Sequence, residues 1–131
     1  MQQRRILQIV VVICSFVPIL GGGSGILFGP AIVNPDHASV FADSHYRYLS
    51  GLLLGIGIAF LATVPRIEDY RARFRLLAAI VVIGGLGRLL SVILHGAADW
   101  PSLFALVMEL AVTPAIAVWQ GRVAAASSRT G

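Results

Sequence analysis

The sequence predicts an all-α protein, a transmembrane four-helix bundle with both termini in the cytoplasm. Three observations carry that prediction. Hydrophobic residues make up 57% of the 131 residues and charged residues only 12%, where soluble domains carry about 25%. Four stretches are nearly free of charge and approach the roughly 20 residues that a helix needs to span a bilayer. The arginines fall almost entirely on one side of those stretches, as a positive-inside bias requires. The mean hydropathy of +0.86 agrees. A soluble chain of this length could not bury so much apolar surface, so lipid has to cover it.

The first helix is expected over about 6–28, uncharged from Ile6 to Phe28 and preceded by Arg4 and Arg5. Arginines, an apolar run and then small residues give it the outline of a signal peptide. The run is longer than an h-region of about 7–15 residues, and no A-x-A site follows it, so an uncleaved helix is expected. Pro18 is a candidate kink. Cys14, the only cysteine, lies inside the apolar run and reads as a small packing residue with no disulfide to make. The segment from Gly29 to Asp43 contains Pro30, Asn34 and Pro35 and is expected to form a loop.

The second helix is expected over about 44–64, with an apolar run from Tyr48 to Val64. The third is expected over about 72–95, interrupted by Arg88, and the fourth over about 101–120, interrupted by Glu109. Trp100 and Trp119 would stand about 28 Å apart along one helix, close to the hydrocarbon thickness, and so mark its two interfaces. Tyr46, Tyr48 and Tyr70 are further interface candidates. The runs lack strand alternation and are too long for barrel strands. The transmembrane domain is expected over 1–122, with a disordered cytoplasmic tail over 123–131.

Arg4, Arg5, Arg66, Arg71, Arg73, Arg75, Arg122 and Arg129 lie on one side of this arrangement. The opposite links carry Asp36, Asp43 and Asp99 and no arginine. The net charge of +4 and pI of about 10.2 therefore reflect topology, and no basic run longer than Arg4-Arg5 supports a nucleic-acid partner.

Small residues mark close helix contacts in lipid. Gly21 and Gly25 form one G-x-x-x-G, and Gly51 and Gly55 form another. The ordinary reading is packing within the monomer. The other is a glycine-rich face that meets a second copy or a membrane-complex partner. Gly84, Gly85 and Gly87 enrich the third helix, and Pro114 is a candidate kink in the fourth.

Ionisable residues at membrane depth are costly and usually find partners inside a bundle. Arg88 would lie about 10 Å below the outer end of helix three, and Glu109 about 13 Å below that of helix four. Opposite charge, similar depth and adjacency predict an ion pair. Gly84, Arg88, Ser91 and His95 share one face of helix three. Ser102, Glu109, Thr113 and Gln120 would share one face of helix four. Arg47 and Gly51 share a face of helix two, with Asp43 one turn before Arg47 as a possible partner.

These faces could enclose an outward-opening pocket whose candidate ligand residues are Arg47, Arg88, Glu109, Ser91 and His95. A small or lipid-like anionic ligand would suit it. The bland reading is an Arg88–Glu109 lock between two helices, with Arg47 reaching to the head groups. His37, His45 and His95, with the neighbouring aspartates, have no tight metal-ligand spacing, so no metal is expected. No nucleophile–base pair and no phosphate-binding glycine motif is present, and no cofactor is implied. The residues leave three readings open: a ligand-binding membrane protein, an accessory subunit of a larger membrane complex, and a small membrane carrier or enzyme.

The runs Asp43-Ser44-His45-Tyr46-Arg47-Tyr48, Gly51-Leu52-Leu53-Leu54-Gly55, Gly84-Gly85-Leu86-Gly87-Arg88-Leu89-Leu90-Ser91 and Glu109-Leu110 carry a family likeness. The chain resembles small four-helix bacterial membrane proteins of the domain-of-unknown-function series, number 4345, over about residues 6–122. The resemblance implies four helices, an inner-membrane location and a polar trio at Arg47, Arg88 and Glu109. It implies no activity.

Overall fold

The computed structural model describes residues 2–32, 39–96 and 99–128. Among these the secondary structure is helical, with no strand. Four helical segments are long and apolar enough to cross a membrane: Gln2–Ala31, Val40–Arg66, Arg71–His95 and Trp100–Ser127. Many large apolar side chains point outward, among them Leu20, Leu27, Ile83, Ile93 and Leu94, each more than 65% exposed. In water that surface would be untenable; facing acyl chains it costs nothing.

The chain divides into two compact units, one of Ile9–Val64 and one of Met1–Gln8 with Pro65–Gly131. The Ile9–Val64 unit holds most of α1 (Gln2–Phe28) and all of α2 (Val40–Thr63). Pro18 lies inside an unbroken α1. Helix α2 starts at Val40, earlier than the expected start near Ser44. Ser39 caps it, its hydroxyl accepting from the Ala42 amide at 3.2 Å, and Asp43 sits in the first turn, where the helix dipole favours an anion. Counting apolar residues overlooks such a start, because the cap and first turn are polar.

Glycines bring α1 against α2, and of the two G-x-x-x-G pairs only Gly25 is among them. A Cβ at Gly22 would stand 2.5 Å from the Leu54 amide nitrogen and 2.6 Å from the Ser50 carbonyl oxygen. A Cβ at Gly25 would collide with the Ser50 side chain, and one at Gly57 with Ile19. Gly21 and Gly51 have only loose neighbours, and Gly55 has none within 4 Å.

The other unit contains α3 (Arg71–His95), α4 (Trp100–Val107), a π-helical turn (Met108–Val112) and α5 (Thr113–Ser127). Leu7, Ile67, Phe74 and Gln120 are its most deeply buried side chains. Polar contacts fasten the same end. Arg4 Nε lies 2.9 Å from Glu68 Oε2, Arg4 Nη2 donates to the Pro65 carbonyl at 3.2 Å, and Gln120 Nε2 donates to the Ile67 carbonyl at 2.6 Å. The Arg73 guanidinium lies 4.8 Å from the Tyr70 ring centre. Gly85 is buried where α3 meets the π turn; a Cβ there would lie 2.8 Å from both Glu109 Cβ and Leu110 Cδ2.

Two expectations change here. The segment 123–127 is not a disordered tail: α5 continues through Ser127, with Val123 and Ala124 buried. Consecutive alanines favour helix strongly, and packing adds to that preference. Residues 129–131 lie outside the described residues. The fourth span is also no uniform α-helix. Pro114 has no N–H to give the Leu110 carbonyl, so the ladder breaks there. Thr113 closes the wider turn instead, its amide donating to the Met108 carbonyl and its hydroxyl to the same oxygen at 2.7 Å.

Candidate functional site

Arg88 projects from α3 one turn past the Gly85 contact, and Glu109 projects from the π turn. They meet in a fork. Arg88 Nε donates to Glu109 Oε2 at 3.1 Å and Nη2 to Oε1 at 3.1 Å. The ion pair that the spacing predicts is therefore present, in the bidentate geometry open to arginine but not to lysine. The Glu109 side chain is 15% exposed and that of Arg88 38%, so the carboxylate is held inside while the guanidinium reaches outward. Arg88 Nη1 has no hydrogen-bond partner among the described residues. π turns recur at functional sites because they turn a side chain out of the regular helical register.

Beside Arg88 an open, shallow recess of about 520 Å³ lies between the last turns of α3 and the first turn of α4. Arg88, Ser91, His95, Asp99 and Ser102 supply its polar lining. Gly84 and Gly96 keep its walls low, and Gly96 ends α3 at a φ of +88°. His95 Nδ1 lies 3.0 Å from the Ser91 carbonyl; a carbonyl only accepts, so this nitrogen is the donor.

Asp99 caps α4. Its Oδ1 accepts from the Ser102 amide at 2.9 Å. The Ser102 hydroxyl and amide, and more weakly the charge of Arg88, hold the Asp99 carboxyl below its ordinary value of 3.8. A depressed value in the folded state means that the charged form stabilises above the ordinary value, and that this contribution fades as pH falls through the depressed one. The melting difference between wild type and Asp99→Ala should thus be constant from neutrality to about pH 4 and shrink below it. A difference that grows on acidification would contradict the cap.

Of the sequence-derived site residues, Arg88, Ser91 and His95 line the recess, with Glu109 bound to Arg88. Arg47 belongs to the Ile9–Val64 unit, and its donors are engaged there. Its Nε and Nη2 donate to Asp43 at 2.8 and 3.2 Å, and its Nη1 donates to the carbonyls of Ile26 and Leu27 in the last turn of α1. Those carbonyls have no helical donor of their own. Gly29, at a φ of +64°, makes room, since a Cβ there would stand 2.7 Å from both Arg47 Nη2 and Asp43 Oδ1.

The face expected for the fourth span divides as well. Ser102 lines the recess, Thr113 bonds back to its own helix, and Gln120 holds Ile67. The π turn breaks the register that would have aligned them. Sequence reasoning left Asp99 out of the site. The signal was its place as an N-cap ahead of Pro101 in Asp99-Trp100-Pro101-Ser102. His45 stacks on Phe41 at 5.8 Å between ring centres, and no three metal-ligating groups converge among the described residues. His37 and Asp36 lie outside those residues.

The family described as Domain of unknown function (DUF4345) matches residues 6–120. The chain belongs to this family. The match takes in the second and third spans whole and most of the first and fourth, so the Arg88–Glu109 fork and the Asp99 cap lie inside the DUF4345 domain. No curated protein and no solved structure matches the chain.

Proposed function

We propose that this DUF4345 protein is a multi-pass protein of the bacterial cytoplasmic membrane with both termini inside. In this reading the recess beside Arg88 opens outward and takes the polar head of a small or lipid-like anionic ligand. The arginine-rich ends and the arginine-free α3–α4 link support that orientation. The observation that carries the binding reading is Arg88 itself. Two of its nitrogens are fixed by Glu109, while Nη1 has no hydrogen-bond partner among the described residues and Arg88 lines an open recess. An unpartnered N–H near lipid is costly, and an anionic oxygen satisfies it. Ser91 and His95 add polar atoms to the same lining. Arg47 takes the role of holding the last turn of α1.

Native mass spectrometry of protein purified with its own lipids tests this. The double variant Arg88→Gln, Glu109→Gln removes both charges while leaving amides that can still hydrogen-bond. Wild type should retain a bound species that the folded double variant lacks. Equal loading of the two, or none in either, would end the reading.

A specific observation favours a second reading, an accessory subunit or homo-oligomer. Among the described residues, a Cβ at Gly23 or Gly55 in one unit, or at Gly84 or Gly87 in the other, would meet no atom within 4 Å, leaving small flat faces against which another helix could pack.

A further inference from the structure

The charges around the recess narrow the ligand further, on the assumption that the binding reading above holds. Arg88 is matched by Glu109 through two bonds. The remaining formal charge of the lining is the carboxylate of Asp99, where α4 begins. Arg88 and Asp99 line the same recess, so one bound head group can meet both. A head group carrying only negative charge would gain Arg88 Nη1 but face an uncompensated carboxylate. One carrying a cation beside its phosphate satisfies both.

The form of the cation follows from the lining. Trimethylammonium groups are held by the faces of Trp, Tyr and Phe, and none of these three lines the recess among the described residues. A carboxylate is an acceptor with about four lone-pair sites. Ser102 fills one of these through its amide, and the rest can receive N–H donors. A primary ammonium has three such donors; a quaternary one has none.

We infer that the recess selects a zwitterionic head made of a phosphodiester and a primary ammonium, the phosphate oxygen meeting Arg88 Nη1 and the ammonium meeting Asp99. The head enters between the ends of α3 and α4. The acyl chains, where present, lie along the exposed apolar faces of those helices at Leu90, Leu94 and Leu103. Ethanolamine phospholipids have this head, and so does soluble glycerophosphoethanolamine.

The test uses the full chain in nanodiscs of phosphatidylethanolamine, phosphatidylcholine and phosphatidylglycerol in equal parts, with bound lipid read by native mass spectrometry. Wild type should retain phosphatidylethanolamine about tenfold over either competitor, the size of one charge-assisted hydrogen bond. Asp99→Asn keeps a good helix cap but loses the charge, and its preference should fall to about twofold or less. The double variant Arg88→Gln, Glu109→Gln should retain none of the three. Adding glycerophosphoethanolamine separates the two sources: a head recognised alone competes the lipid off, and one that needs its chains does not.

Equal retention of the three lipids by wild type, or a preference for phosphatidylglycerol, overturns the zwitterion inference and leaves the binding reading standing. Unchanged selectivity in Asp99→Asn also overturns it. Lipid retained equally by the double variant lies elsewhere on the protein and overturns both.

Discussion

Replacing Gly22 with alanine should push the first two helices apart and cost about 3 kcal/mol or more, as overpacking against unyielding atoms does. The new Cβ would stand 2.5 Å from the Leu54 nitrogen and 2.6 Å from the Ser50 oxygen. Both are backbone atoms of α2, so no rotamer change can relieve the contact. Gly23 is the control. A Cβ there meets nothing within 4 Å, and alanine improves helix propensity by about 1 kcal/mol over glycine. Thermal unfolding in one detergent should therefore show Gly22→Ala melting well below wild type and Gly23→Ala at or above it. Two adjacent glycines would respond with opposite signs. Equal melting of the two variants would mean that α1 and α2 do not approach as closely as described.

Removing the Glu109 carboxylate should cost about 3 kcal/mol, toward the lower end for breaking a buried pair. The lower end applies because Arg88 keeps a side-chain exposure of 38% and can swing toward the head groups. Glu109→Ala leaves a guanidinium at membrane depth with both donors of its fork unmatched. Glu109→Gln should cost less, since the amide oxygen still accepts one N–H. Removing both partners together should cost less than the sum of the single losses, because the uncompensated charge disappears with them. Melting in detergent across the four proteins measures this coupling. If Glu109→Ala melts like wild type, the fork contributes nothing to the fold and the recess loses its anchor.

The location of the site was legible in part. Arg88 and Glu109 are the only ionisable residues inside the third and fourth apolar runs, and a short link forces those runs to be antiparallel neighbours. Charge economy in lipid then demands that they meet, and they do. Ser91 and His95 followed from helical spacing on α3, which is regular throughout. The same spacing failed on the fourth span, because one imino acid, Pro114, forces a π turn that no hydrophobic pattern records. Asp99 was overlooked because a capping residue looks like any polar loop residue until its hydroxyl or carboxylate is seen against the first amides.

By itself the sequence determined the four spanning segments and the Arg88–Glu109 partnership. Solvent decides both: water will not accept those runs, and lipid will not accept a lone charge. The tertiary structure decided which glycines carry contact, Gly22 and Gly25 rather than the Gly51–Gly55 pair. It also decided that Arg47 closes the end of α1 and that Asp99 lines the recess. Those outcomes depend on which backbone atoms of another segment stand within a few ångströms, and a one-dimensional pattern holds no record of that.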